Sequence, residues 1–147
     1  AFGNAGALID LPENEMFLPV RAIRGEGTSF YYQEPGQFID MKSDYLNEIE
    51  KIITDMKLDY DEITTWTTDG FFRETPDRVK QFRELGATVE MECAGMAACA
   101  LFRKIDFAQI LFTADTLADI DNYDERDWGS DSHSAGLKIC SQILSRV

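Results

Sequence analysis

Histidine and cysteine are scarce in this chain: one histidine and three cysteines among 147 residues. One imidazole cannot make a three-histidine metal site, and any Ser-His-Asp triad would have to rest on His133 alone. His133 lies in a Ser/Asp-rich stretch and reads as a surface or capping residue. Cys93, Cys99 and Cys140 form an odd set without Cys-x-x-Cys spacing. That argues against zinc and against a disulfide framework, and for reduced thiols in a cytoplasmic protein. No apolar run reaches the roughly 18–20 residues that cross a bilayer, and no basic-then-apolar leader opens the sequence. Positive charge is short as well. Fourteen bases stand against 27 acids, a net charge of -13, which argues against general affinity for nucleic acid or anionic membrane. No internal repeat or low-complexity tract is present.

Apolar residues make up 44% of the chain and mean hydropathy is -0.26, as expected of a single folded domain over residues 1–147. A glycine-rich opening, Ala1 to Leu8, leads to a predicted strand at Met16–Ile23, with Pro19 at an edge or bulge. Arg24 to Gly36 reads as a loop carrying Phe30, Tyr31 and Tyr32. From Ser43 onwards, Tyr45, Leu46, Ile49, Ile52, Ile53 and Met56 repeat at helical spacing. Ile63–Thr68 is rich in β-branched residues and predicts a strand running into Asp69-Gly70. Thr75-Pro76 opens a helix whose buried face is Val79, Phe82 and Leu85 and which Gly86 ends. Thr88–Met91 predicts a short strand, Glu92–Arg103 an alanine-rich helix, and Phe107–Thr113 a strand covered on both faces. Leu137–Leu144 closes the chain as a helix with Leu137, Cys140, Ile143 and Leu144 inward. Alternating strands and helices predict an α/β fold whose ligands gather at the carboxyl ends of the strands.

Several residues near those ends carry two readings each. Glu90, Met91 and Glu92 put two carboxylates and a thioether where a strand feeds a helix. Ionised carboxylates there can accept hydrogen bonds from sugar hydroxyls, or Glu92 can simply favour the positive end of the helix. Asp115 follows the most apolar strand, where desolvation raises a carboxyl pKa and makes a general acid, although a turn or capping aspartate fits equally. Phe71 can stack on a flat ring or belong to the core. Gly3-Asn4-Ala5-Gly6 can bring backbone N–H groups to an anion or form an ordinary turn. The acid-rich stretch from Asp115 to Asp131 lacks the spacing of an EF-hand and reads as a solvated loop, so no metal ligand is assigned.

Taken in order, five segments resemble the purine/uridine nucleoside phosphorylase family. They are Gly3 to Leu8, Ala22 to Tyr32, Thr68-Asp69-Gly70-Phe71-Phe72, Val89-Glu90-Met91-Glu92, and Thr113-Ala114-Asp115-Thr116. The resemblance implies a three-layer α/β/α fold with a mixed central β-sheet. It also implies phosphorolysis of a nucleoside, purine before uridine, to free base and ribose 1-phosphate, with inorganic phosphate as co-substrate and no other cofactor. Asp115 corresponds to the aspartate that protonates the purine N7. Glu92 and Met91 correspond to the ribose-contacting pair, Phe71 to the aromatic on the base, and Ala5, Gly6, Val89 and Glu90 to the surrounding pocket. Asn4 stands where the family carries a phosphate-contacting serine or threonine. The family also has an opening segment with phosphate-gripping arginines ahead of the glycine pair, so the chain is expected to be N-terminally truncated, with sheet edges uncovered. Arg21 and Arg24 belong to a later motif and are not assigned to phosphate. The alternatives are a nucleosidase that uses water, or a chain that binds nucleosides without turnover. Partners are expected to be the nucleoside, phosphate and further copies of the chain, as a dimer or trimer of dimers.

Overall fold

Six strands organise the chain. The computed structural model describes every residue from Ala1 to Val147. Its strands are β1 (Phe2–Ala7), β2 (Met16–Gly25), β3 (Phe38–Asp40), β4 (Asp61–Thr68), β5 (Thr88–Glu90) and β6 (Ile110–Thr116). Its helices are α1 (Asp44–Asp55), α2 (Pro76–Arg83), α3 (Cys93–Arg103) and α4 (Ser130–Leu144), with 3-10 turns at Thr28–Tyr31, Phe71–Arg73 and Arg126–Gly129. None of these helices is long and apolar enough to cross a membrane.

The strands lie in the order β3-β2-β4-β5-β1-β6. β2, β4 and β5 run parallel to one another, β1 runs parallel to β6, and β1 is antiparallel to β5. This is the expected mixed sheet, flanked by helices. It departs from expectation in one respect: Met16 and Phe17 of β2 pair antiparallel with Phe112 and Leu111 of β6, so the sheet curls and closes. Closure satisfies backbone groups that an open β6 edge would leave unpaired. Ala5, Phe17, Ile63 and Leu111, from four different strands, pack together inside the curl.

Side-chain pattern explains the layers. In α1 the stripe Leu46, Ile49, Ile52 and Ile53 packs on Met16, Leu18, Ile110 and Phe112, and Ser43 caps the helix by accepting the Leu46 N–H at 3.1 Å. The alanines Ala94, Ala97 and Ala98 let α3 lie close on Ala22, Ile39 and Met41. On α2, Val79 and Phe82 face Trp66 and Val89, with the Trp66 and Phe82 rings stacked at 4.4 Å.

Several elements differ from the sequence reading, among them β3, which the sequence did not suggest, and β2, which runs on to Gly25 into the segment read as a loop. β1 forms although Gly3 and Gly6 weaken strand propensity, because β5 and β6 pair with it on both sides. β6 lies three residues later than expected, which puts Asp115 inside the strand. Gly86 does not end α2. The helix stops at Arg83, and a Cβ at Gly86 would lie 2.7 Å from the Thr64 carbonyl oxygen, so close approach explains the glycine. α4 starts at Ser130, seven residues before Leu137, and turns Ser132, Gly136 and Ile143 inward. A Cβ at Gly136 would meet Phe112 and Phe2 at 2.9–3.0 Å. The helix therefore approaches through its small residues, and Leu137 and Leu144 stay exposed. Leu85 is likewise exposed rather than buried.

Candidate active site

The sheet reverses direction where β1 meets β5, and the pairing there consists of Gly6↔Val89 and Ala7↔Thr88. A cleft of about 660 Å³ opens at this seam, within the roughly 300–1,000 Å³ usual for small-molecule sites. It sits at the antiparallel junction between two parallel strand sets, and Phe71, Val89 to Glu92, Ala114 and Asp115 line it from the carboxyl ends of β4, β5 and β6. All nine residues singled out from the sequence line it: Asn4, Ala5 and Gly6 of β1, Phe71, the run Val89 to Glu92, and Asp115.

The two glutamates of the β5–α3 junction have different surroundings. Glu90 is buried. Its Oε1 accepts the Thr67 hydroxyl hydrogen at 2.6 Å, and its Oε2 accepts the Glu92 and Cys93 N–H groups at 2.8 and 2.6 Å. Thr67 in turn accepts the Ala94 N–H at 2.9 Å. Burial pushes the Glu90 carboxyl above its ordinary value, against the pull of these donors. Glu90 thus supplies the anion at the start of α3 that the sequence suggested for Glu92. Glu92, although it stands at the capping position, makes no side-chain capping bond. Its exposed carboxylate remains available to a ligand, with Met91 beside it at 45% exposure.

Asp115 is half-buried and raised above the usual carboxylate range by burial. The Tyr123 hydroxyl, which donates to Oδ2 at 3.1 Å, and the nearby Arg126 charge oppose that shift. Gly6 makes the position possible: a Cβ there would lie 3.1 Å from Asp115 Oδ1 and 3.2 Å from Oδ2. The carboxyl therefore rests against bare backbone of β1. Phe71 is 67% exposed at the turn following β4, so it belongs to the cleft rather than the core.

Asn4 lines the cleft with its amide already engaged. Its Nδ2 lies within hydrogen-bond distance of the Trp128 and Gly129 carbonyls and His133 Nε2, and its Oδ1 accepts the Ser132 hydroxyl hydrogen. These bonds tie β1 to the start of α4 and leave the amide little capacity for an anion. Arg24 is also committed. It donates to Ser29 Oγ and to the carbonyls of Gln33, Glu34 and Gly36, holding the loop after β2. No three His, Cys, Asp or Glu side chains converge as metal ligands would.

Glu74, Tyr123 and Trp128 also line the cleft and were not singled out from the sequence. Glu74 follows the Phe71–Arg73 turn, and burial together with the Asp115 charge pushes its carboxyl up to about 7. Tyr123 and Trp128 lie 6.2 Å apart in a tilted pair. Their signal was present as the two large aromatics of an otherwise acidic loop. Arg126, Asp127, Trp128 and Gly129 all adopt left-handed backbone conformations, which carries Trp128 to the cleft.

The chain belongs to the phosphorylase superfamily, whose family model matches residues 1–144. No curated protein sequence matches it. Its fold is similar to that of purine nucleoside phosphorylase from Toxoplasma gondii in complex with immucillin-H, with a TM-score of 0.79 at 16% identity over 97% of this chain and 60% of that one. AMP nucleosidase from Bacteroides thetaiotaomicron matches with a TM-score of 0.74 at 23% identity, over 98% of this chain and 58% of the other. The 5'-methylthioadenosine/S-adenosyl homocysteine nucleosidase of Campylobacter jejuni gives 0.78 at 15% identity, over 99% and 68%. The chain therefore spans about three fifths of the first two structures' length. At these identities the likeness concerns the fold.

Proposed function

We propose that the cleft binds a nucleoside, purine in preference to pyrimidine, and that its N-glycosidic bond is cleaved there. The carrying observation is the contrast between two carboxyls of one cleft: Asp115, desolvated against Gly6, and Glu92, exposed and unpaired. A carboxyl desolvated against backbone is placed to donate a proton, and one left in solvent without a partner is placed to accept hydrogen bonds. Asp115 then donates its proton to N7 of the purine as the bond between C1′ and N9 breaks, and the bonding electron pair stays with the base. Glu92 accepts hydrogen bonds from the 2′- and 3′-hydroxyls and stabilises the positive charge that develops on the sugar. Phe71 covers the face of the base. The backbone of Ala5, Gly6 and Val89 closes the pocket around it.

Phosphate is the first reading of the attacking group, giving ribose 1-phosphate. Water is the second, and a specific observation favours it: no lysine, arginine or histidine lines the cleft, while four carboxylates do. Anions are repelled from such a surface unless cations come from elsewhere. Product analysis of inosine and adenosine reactions with and without phosphate separates the two. Ribose 1-phosphate formed only with phosphate supports phosphorolysis, and free ribose formed at equal rates in both supports hydrolysis. Absence of free base in every reaction, with no nucleoside binding by calorimetry, contradicts the whole reading.

A further inference from the structure

We infer that Arg83, at the end of α2 and outside the cleft, is a positioning residue that holds the Asp115 carboxyl in place. This rests on the reading of Asp115 as proton donor and adds to it the device that aims the acid. Asp115 stands on a bulge. Between the pairs Ala5↔Thr113 and Ala7↔Thr116, β6 carries Ala114 and Asp115 against the single residue Gly6 of β1. An extra residue in one strand bends it locally and redirects a side chain. Here two side chains come to lie over Gly6, for a Cβ there would be 3.1 Å from both Asp115 Oδ1 and Leu117 Cδ1. An apolar side chain therefore sits beside the carboxyl over the same bare backbone.

A bulge disrupts the strand ladder, and the chain leaving this one is held by other elements. The Leu117 N–H donates to the Ala7 carbonyl at 2.8 Å, and Thr116 pairs with Asp124. Arg83 supplies the remaining hold. One terminal nitrogen of its guanidinium donates to the carbonyls of both Leu117 and Ala118, at 3.0 and 3.2 Å. A cation in the last turn of a helix commonly serves the helix dipole alone, and such a side chain can stay in water. Arg83 does otherwise. It is half-buried, and its Nε is out of solvent without a partner. Desolvating a donor that makes no bond costs free energy, so the two carbonyls, not α2, account for where this side chain lies. Without it both part-buried carbonyls lose their donor, and the segment that seats Leu117 and the bulge is free to relax.

The test is a cycle of kcat and KM for adenosine in the native protein, Arg83→Ala, Asp115→Asn and the double variant, with the thermal midpoint of each. In the native background Arg83→Ala is expected to lower kcat by roughly 10- to 100-fold, since a displacement of about 1 Å can cost that much. KM is expected to change little, because Arg83 does not line the cleft. In the Asp115→Asn background the same substitution is expected to change kcat by less than about twofold, the acid it positions being gone. A merely structural arginine would lower kcat equally in both backgrounds. Arg83→Lys keeps the charge but not the planar fork. It is expected to give an intermediate kcat, and it carries the comparison where the alanine variant does not fold. An unchanged kcat in Arg83→Ala, equal losses in both backgrounds, or unfolding of both Arg83 variants overturns the assignment while leaving nucleoside cleavage intact. No base release by the native protein, or equal kcat in the native protein and Asp115→Asn, overturns the reading of the cleft and this inference with it.

Discussion

The two sides of the cleft are built by opposite means. At the β5–α3 junction, hydrogen bonds do the positioning: Glu90 accepts three, Thr67 accepts a fourth from Ala94, and Glu90 and Cys93 are buried. On the other side, Asp115 has one side-chain partner and Glu74 none, beside the exposed aromatics Phe71 and Trp128. That side also contains three successive non-glycine residues with φ of 43, 51 and 55°, each a strain of roughly 1–2 kcal/mol. The junction fixes where a carboxylate stands. The opposite side fixes whether a carboxyl holds its proton. A reaction in which one anion waits and one acid donates needs both.

The comparison can be broken most forcefully at Asp115. Replacing it with asparagine removes the proton donor while keeping its shape, and kcat/KM for purine nucleosides is expected to fall by about 10²–10⁴-fold with binding retained. If binding disappears instead, Asp115 positions the base and the division of labour fails. At the junction the next largest effect is on folding. Glu90→Ala strands the Glu92 and Cys93 N–H groups and the Thr67 hydroxyl, and a loss of about 3 kcal/mol in urea unfolding is expected. A similar loss in Glu92→Ala would erase the distinction between the two glutamates.

Glu92→Gln sharpens the other half of that distinction. It is expected to lower kcat/KM for ribonucleosides by roughly 10- to 100-fold, the worth of a charge-assisted hydrogen bond. It should lower kcat/KM for 2′,3′-dideoxynucleosides by less, since only the charge stabilisation is lost there, and leave the thermal midpoint unaffected. The smallest effect is on stability against pH. In the folded protein Glu74 keeps its proton up to about 7, whereas an ordinary carboxyl releases it near 4.5. Between those values the native state binds more protons than the unfolded state, so stability falls as pH rises through this window. Glu74→Gln should flatten that part of the profile, read as unfolding midpoints from pH 4 to 8.

How far the sequence could be read depends on what held each element together. α1 was legible because its apolar stripe and Ser43 cap are local signals. β1 was not, since its order comes from β5 and β6, both far away in sequence. The inward face of α4 was misread for a related reason. Leu137 and Leu144 are the larger residues, but Gly136 and Ser132 set the distance of approach to Phe2 and Phe112. In the site, the motif run Val89 to Glu92 located the cleft, yet it could not say which glutamate serves the helix. That depended on Thr67, which lies on another strand. Glu74 escaped notice because its environment is made by Asp115, 41 positions away, and by the curl of the sheet that brings them to one cleft.

The central claim is that a desolvated Asp115 protonates a departing purine while Glu92 holds the sugar. Its most direct measurement is single-turnover release of free base from adenosine and inosine by the native protein and by Asp115→Asn, alongside calorimetric binding of the same nucleosides. The account predicts base release by the native protein, and in the variant binding of similar strength with release slowed by about 10²-fold or more. Equal release by the two proteins would contradict it.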